Sequence, residues 1–347
     1  MEKIPIPTEE LPFVSADLPG LGGIIKSRPE HFIVEEIPLY EASGDGPHLY
    51  LTLRRTGLST RQVLDELARR YQAPVSAIGY AGLKDKEAVT TQTFSLPLEM
   101  DEPAVREKSL DAPWELTAVG RHCNKLKVGH LLGNRFTILL SDPQRSLSEA
   151  LAIAAYLKIH GLPNYFGDQR FGREGDNALE GLKLIQKGRG GKSWKDKFLL
   201  SALQSLVFNH YLAVRIHRGL FETVLTGDVC KKYATGGLFV SEDGELETKR
   251  LLAGELSPTG PIWGAKMKAA EGPAGQLEAE ALAELDLSPE KMAKAGAGDR
   301  RLNRLLVPDL DIRKAEGGLS FTFALPKGSY ATSVMREFIK EHAGPRP

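Results

Sequence analysis

Cysteine is nearly absent: Cys123 and Cys230 are the only two in 347 residues. Two thiols cannot build a four-thiolate zinc site or a disulfide framework. A chain with no need of a disulfide fits a reducing, cytoplasmic setting. Long apolar runs are missing too. Nothing approaches the ~20 residues of a membrane span. Residues 1–20, rich in Pro and Glu, lack the continuous apolar stretch of a signal peptide. No membrane partner is expected. Net charge is zero, with 45 Lys and Arg against 45 Asp and Glu. Attraction to a polyanion must therefore come from local segregation of charge. The chain also lacks His-x-Glu and a Pro-Cys-x-x-Cys pair, both needed by a zinc-dependent base deaminase. With no ligand cluster and no glycine-rich nucleotide loop in context, neither metal nor cofactor is expected.

What is present is ordinary globular composition, 41% hydrophobic and 26% charged, at a length that suggests about two domains. Residues 32–37 and 48–53 read as strands, the second ending at Arg54-Arg55. Ser59-Thr60-Arg61-Gln62 is a capping box, and Val63, Leu64, Leu67, Ala68 and Tyr71 follow at helical spacing up to Pro74. Further strands are expected at 78–81, 93–96, 114–119 and 135–140. Ser146 to Glu149 form a second capping box, opening a helix that Gly161 closes. Residues 162–172 are aromatic and loop-like. Beyond them the pattern turns helical, at about 177–186 and 198–217, where His210 reads as a packed histidine. Short strands are expected within 229–240 and a turn-rich loop at 260–264. Residues 271–290 carry six acids and no base, and read as an acidic surface helix. Strand patterning resumes at 311–313 and 319–325, and 329–342 reads as a closing helix. The organisation is a mixed α/β domain interrupted by a helical insertion.

Chemistry concentrates in the loop after the strand at 78–81. There Lys84-Asp85-Lys86 sets one carboxylate between two ammonium groups. The lysines favour ionised Asp85 and would attract an anionic substrate such as a phosphodiester. These letters alone fit an ordinary surface ion pair as well as an anionic catalytic site. Residues 121–135 hold Arg121, Lys125, Lys127 and Arg135 without an acid. They read as a solvated basic loop or a phosphate-binding one. Asn134 and Phe136 share a face if 135–140 is a strand. An amide beside an aromatic ring is what holding a nucleobase requires, although a core Phe beside a turn Asn explains the same letters.

Taken together, five runs resemble the TruD family of tRNA pseudouridine synthases. They are Phe32-Ile33-Val34-Glu35-Glu36, Ala81-Gly82-Leu83-Lys84-Asp85-Lys86, Gly133-Asn134-Arg135-Phe136, Pro163-Asn164-Tyr165-Phe166-Gly167-Asp168-Gln169-Arg170-Phe171-Gly172 and Gly328-Ser329-Tyr330-Ala331-Thr332-Ser333-Val334-Met335-Arg336-Glu337. They run in family order over nearly the whole chain. The resemblance implies a pseudouridine-synthase catalytic domain (1–161 plus 308–347) with a mixed, largely antiparallel sheet. It also implies a mostly helical TruD-specific insertion (162–307). Asp85 would be the catalytic aspartate, and Phe32, Lys84, Asn134, Phe136 and Tyr330 would bind substrate. The family often has Phe at the position of Tyr330; the ring is kept. The implied reaction isomerises uridine, by family likeness uridine 13 in the D-stem region. The implied partner is tRNA, and no protein partner is implied. Whether the carboxylate attacks carbon or abstracts a sugar proton stays open. An RNA-binding protein without catalysis would suit the basic and aromatic segments equally, but has no use for a carboxylate facing phosphate.

Overall fold

A computed structural model describes residues 11–172, 175–188, 190–191 and 193–340. In chain order the elements are β1 (Phe32–Pro38), β2 (His48–Thr56), α1 (Thr60–Tyr71), β3 (Gly79–Tyr80), β4 (Val89–Leu96), α2 (Glu102–Ser109), β5 (Glu115–His122), β6 (Leu131–Ser141) and α3 (Leu147–His160). Then come β7 (Leu162–Pro163), α4 (Asn177–Gln186), α5 (Trp194–His217), β8 (Val229–Lys232), β9 (Leu238–Val240), α6 (Gly244–Leu252) and β10 (Leu256–Ile262). The chain continues with α7 (Gly272–Ala283), α8 (Pro289–Met292), β11 (Asp299–Leu302), β12 (Arg304–Leu305), β13 (Asp311–Ala315), β14 (Gly318–Pro326) and α9 (Ala331–Ile339). The closing helix, expected to reach 342, is observed to Ile339; residues 341–347 lie outside the described residues.

The structure is mixed α/β with mostly antiparallel sheets, and its contacts divide it into two compact units. One comprises Leu21–Leu151 and Asp309–Gly328. Its eight-stranded sheet runs β13-β14-β6-β1-β4-β2-β5, with β3 on β4. Only β1 and β4 pair in parallel. Ser59 and Gln62 cap α1 reciprocally. The apolar stripe of that helix (Val63, Leu64, Leu67, Tyr71) buries against Leu49, Leu51 and Leu53 of β2 and Phe94 of β4. A helix with such a stripe is stable only where the stripe is covered.

The second unit comprises the described residues up to Gly20, Ala152–Pro308 and the chain from Ser329. This division assigns both chain ends to the middle segment, whereas the sequence reading kept them with the first 161 residues. A physical reason is at hand: buried Glu337 of α9 accepts hydrogen bonds from Ser15 N–H and Oγ (3.2 and 2.7 Å). The unit has a sheet ordered β11-β10-β8-β9 and a β7–β12 pair. Rings of α5 pack on β10, and Gly260 permits this: a Cβ there would stand 2.7 Å from Phe208 and Tyr211.

Two expectations fail in this unit. Residues 260–262 are not part of a loop but the end of buried strand β10, despite Pro258 and Pro261. Proline cannot serve two neighbours along a ladder. This strand hands over between partners, pairing with β8 at residues 256–258 and β11 at 259–262. The acidic segment is not wholly at the surface either. Glu278 is 2% exposed and bidentate with Arg300, at 2.6 and 3.0 Å. Glu280 and Glu284 do lie at the surface, meeting Arg218 and His210. Glu278→Ala should therefore cost roughly 3–5 kcal/mol, because it strands a buried guanidinium. Glu280→Ala and Glu284→Ala should each cost under about 1 kcal/mol, as exposed pairs do. Urea titration of the three variants checks this; equal losses would contradict the buried pair.

Among the described residues, no helix is long and apolar enough to cross a membrane. Cys123 is exposed and Cys230 buried, and both are free thiols.

Candidate active site

Asp85 stands in the loop between β3 and β4, and that loop is held from beneath. Buried Arg55 on β2 donates to Gln92 Oε1 (2.9 Å) and Thr60 Oγ1 (3.2 Å). Gln92 in turn donates to the carbonyl of Gly82 (2.6 Å), and Thr60 Oγ1 accepts the N–H of Lys84 (3.0 Å). The backbone is thus fixed on both sides of Leu83, two residues before the carboxylate. Burial pulls the Arg55 guanidinium down to about 10, against the opposing charge of Glu36; it stays a cation at neutral pH. Thr60→Val keeps the shape and removes the hydroxyl. It should cost roughly 1–3 kcal/mol by leaving two buried donors short of an acceptor. It should also lower kcat by roughly tenfold to a hundredfold by loosening the loop. Thermal unfolding and turnover, measured together, check both. Full turnover in a destabilised variant would show that the anchor is structural only.

The cation paired with Asp85 is neither of its sequence neighbours. Lys26 Nζ donates to Asp85 Oδ2, while the Glu87 N–H donates to Oδ1 at 3.1 Å. Burial alone would raise the carboxyl. The Lys26 hydrogen bond and charge, with the N–H groups of Glu87 and Lys86, outweigh it and hold Asp85 below its usual value. The expected ionised aspartate is present, but the reason differs. Lys84 turns to Glu36 Oε2 and Asn134 Oδ1, 2.8 Å each, with Lys84 and Glu36 side chains both 4% exposed. Lys86 is exposed. The Lys26 ammonium also sits 4.3 Å from the ring centroid of Phe32.

Register explains why these side chains meet. β1 and β6 pair antiparallel, with Val34 opposite Phe136 and Glu36 opposite Asn134. Alternation then puts Phe32, Glu36, Asn134 and Phe136 on one face. Phe323 of β14, opposite Phe136, extends it. Phe32 and Phe136 stand edge to face at 6.1 Å and are buried. So five of the six sequence-chosen residues (Asp85, Phe32, Lys84, Asn134 and Phe136) gather in the sheet unit. Tyr330 belongs to the other unit, 5.9 Å from Phe166 and from the guanidinium of Arg301, which itself stacks 3.9 Å from the Phe166 centroid.

Sequence reasoning missed Lys26, Glu36 as a partner, and the Arg55–Thr60–Gln92 support. Glu36 and Thr60 lay inside quoted motifs. Lys26 carried no signal: it follows a turn with Gly22 and Gly23 at φ 61° and 87°, and is itself left-handed at 60°.

A family profile described as tRNA pseudouridine synthase D (TruD) matches residues 10–189 and 195–338. The chain belongs to the TruD family. It is 45% identical over 337 residues to tRNA pseudouridine synthase D of Thermus thermophilus, covering 96% of this chain and 94% of that one. It is 44% identical over 346 residues to the Anaeromyxobacter dehalogenans protein of the same name, covering 96% and 98%. A crystal structure described as TruD of Methanosarcina mazei matches with a TM-score of 0.76 at 26% identity, over 94% and 95% of the two chains. Membership of the TruD family therefore extends across both compact units.

Proposed function

We propose that this chain isomerises a uridine of tRNA to pseudouridine, with Asp85 as the catalytic carboxylate and position 13 as the target. The observation that carries this is an aspartate kept ionised by Lys26, on an anchored loop, beside an amide and two rings. The isomerisation breaks the C1′–N1 glycosidic bond, turns the uracil and joins C5 to C1′. A proton leaves C5 and one arrives at N1, so atoms balance without redox partner, metal or energy source. Either opening step, attack on carbon or removal of a sugar proton, starts from a carboxylate anion. Lys26 helps hold that carboxyl below its usual value. Lys84 occupies Asn134 Oδ1, which leaves the Asn134 amide N–H₂ to donate to a uracil carbonyl. The base must leave its stack to react, and Phe32 and Phe136 offer apolar contact beside the carboxylate. Tyr330 joins the substrate contacts by its place in the Gly328–Glu337 run.

In this reading residues 1–161 with 308–347 form the catalytic domain and 162–307 the mostly helical family insertion. The setting is the cytoplasm, where free thiols persist. Binding without catalysis is the weaker reading, since a partly buried ammonium paired with one carboxylate serves no purpose in holding RNA. Bulk tRNA incubated with the purified protein should gain pseudouridine at position 13, with tritium released from uracil-C5-labelled tRNA. No release, or modification confined to other positions, would refute the proposal.

A further inference from the structure

The helix α5 begins with an aromatic pair that the packing does not need. Trp114 and Trp263, the other two tryptophans, are buried in their units' cores. Trp194 is 79% exposed. Its indole lies on Phe198, one helical turn on, with ring centroids 5.6 Å apart and planes 11° from parallel. One indole face is therefore backed by a ring and the other faces outward. The Ser193–Asp196 capping box fixes the turn that carries it. A single exposed apolar side chain is unremarkable by itself. The surroundings give this one a direction.

They are cationic. Lys187 and Lys195 are close enough to Glu180 to act on its carboxyl, which Lys183 already pairs at 2.5 Å. Lys197 lies against Gly191, and Lys294 beside Gly188. All five lysines are exposed. The acids of α4 and of the first turn of α5 are Glu180, held by Lys183, and Asp196, whose carboxylate accepts the Ser193 N–H at 3.1 Å. In a chain with no net charge, this is a local excess of positive charge on and beside the segment that carries Trp194. An unstacked nucleobase with flanking phosphates fits both features: the base on the indole, the phosphates on the lysines. A protein surface would match the apolar ring but not the lysine excess.

We infer that Trp194, backed by Phe198 and flanked in the chain by Lys195 and Lys197, is an RNA-binding platform. It would stack an unpaired base of the tRNA. This rests on tRNA being the substrate.

The test uses the intrinsic fluorescence of the full chain titrated with unmodified tRNA transcript. Trp194 is the exposed fluorophore, so tRNA should quench the wild-type emission, and Trp194→Phe should remove most of that response. Trp194→Ala should weaken the Kd roughly tenfold, as loss of one base–aromatic stack does, with kcat at saturating tRNA unchanged. Lys195→Ala with Lys197→Ala should flatten the log–log salt dependence by about 0.7 per lost contact. A Trp194→Ala variant that binds as tightly as a wild type still active on tRNA would overturn the platform and leave the proposed function standing. A wild type that neither binds nor isomerises tRNA would overturn both. A concentration-dependent blue shift of Trp194 emission without RNA would assign the face to a second copy of this chain, and also overturn the platform.

Discussion

Asp85→Asn should bind tRNA almost as the wild type does and fail to turn it over. The substitution preserves volume and the acceptor oxygen toward the Glu87 N–H, so the loop keeps its shape. It removes the charge that either opening step requires. The expected fall in kcat is roughly a thousandfold or more, the scale on which loss of a general base or nucleophile acts. Lys26 would then face a neutral amide in a half-buried place, so a small loss of stability is expected as well. Binding measured by filter retention and turnover by tritium release separate the two effects. Isomerisation near the wild-type rate would remove Asp85 from the chemistry.

Lys26→Met gives the second large effect, and its signature is a pH profile. Lys26 depresses the Asp85 pKa; without it, burial acts against the remaining N–H groups alone and the carboxyl rises. Activity that needs the anion then has its acid limb at higher pH, so turnover falls most on the acid side of neutrality. Lys26→Arg should recover much of this, since the charge returns on a stem of similar reach. Methionine also keeps the left-handed backbone strain unchanged, because both residues carry a Cβ there. The linkage sign is that of a depressed carboxylate. The pair's contribution to stability is complete above the unfolded Asp pKa and is lost as pH falls through the lower folded value. The Asp85 side chain is one-third exposed, so that contribution is small. An unmoved acid limb in Lys26→Met would mean that Lys26 merely packs against Phe32.

Much of the sheet unit was legible because its signals are local. The Ser59–Gln62 box and the Val63-to-Tyr71 spacing announce α1, and the loop carrying Asp85 announces itself by charge. What stayed hidden depends on pairing across distance. Lys26 reaches Asp85 over 59 residues, and Lys84 abandons its neighbour for a glutamate two strands away. Nothing in Lys-Asp-Lys says which ammonium takes the carboxylate; the β1–β6 register sets Glu36 opposite Asn134, and Lys84 goes to that pair. Glu278 was misread although Leu277, Ala281 and Leu282 set a buried stripe around it, because its partner Arg300 comes 22 residues later. β10 was misread because Pro258, Gly260 and Pro261 normally break strands, and only the change of partner along the strand reconciles them.

The chain passes from one unit to the other at 20/21, 151/152, 308/309 and 328/329. On the ribosome this orders events. β14 lies between β13 and β6, so β6 emerges with one side of its backbone unpaired and waits for nearly 180 residues of further synthesis. Its open edge is a pairing hazard throughout that wait. The second unit waits longer still, for the Glu337 that accepts from Ser15. Neither unit is complete until its last segment has been made, and a stop before Gly318 deprives both, one of β14 and the other of Glu337.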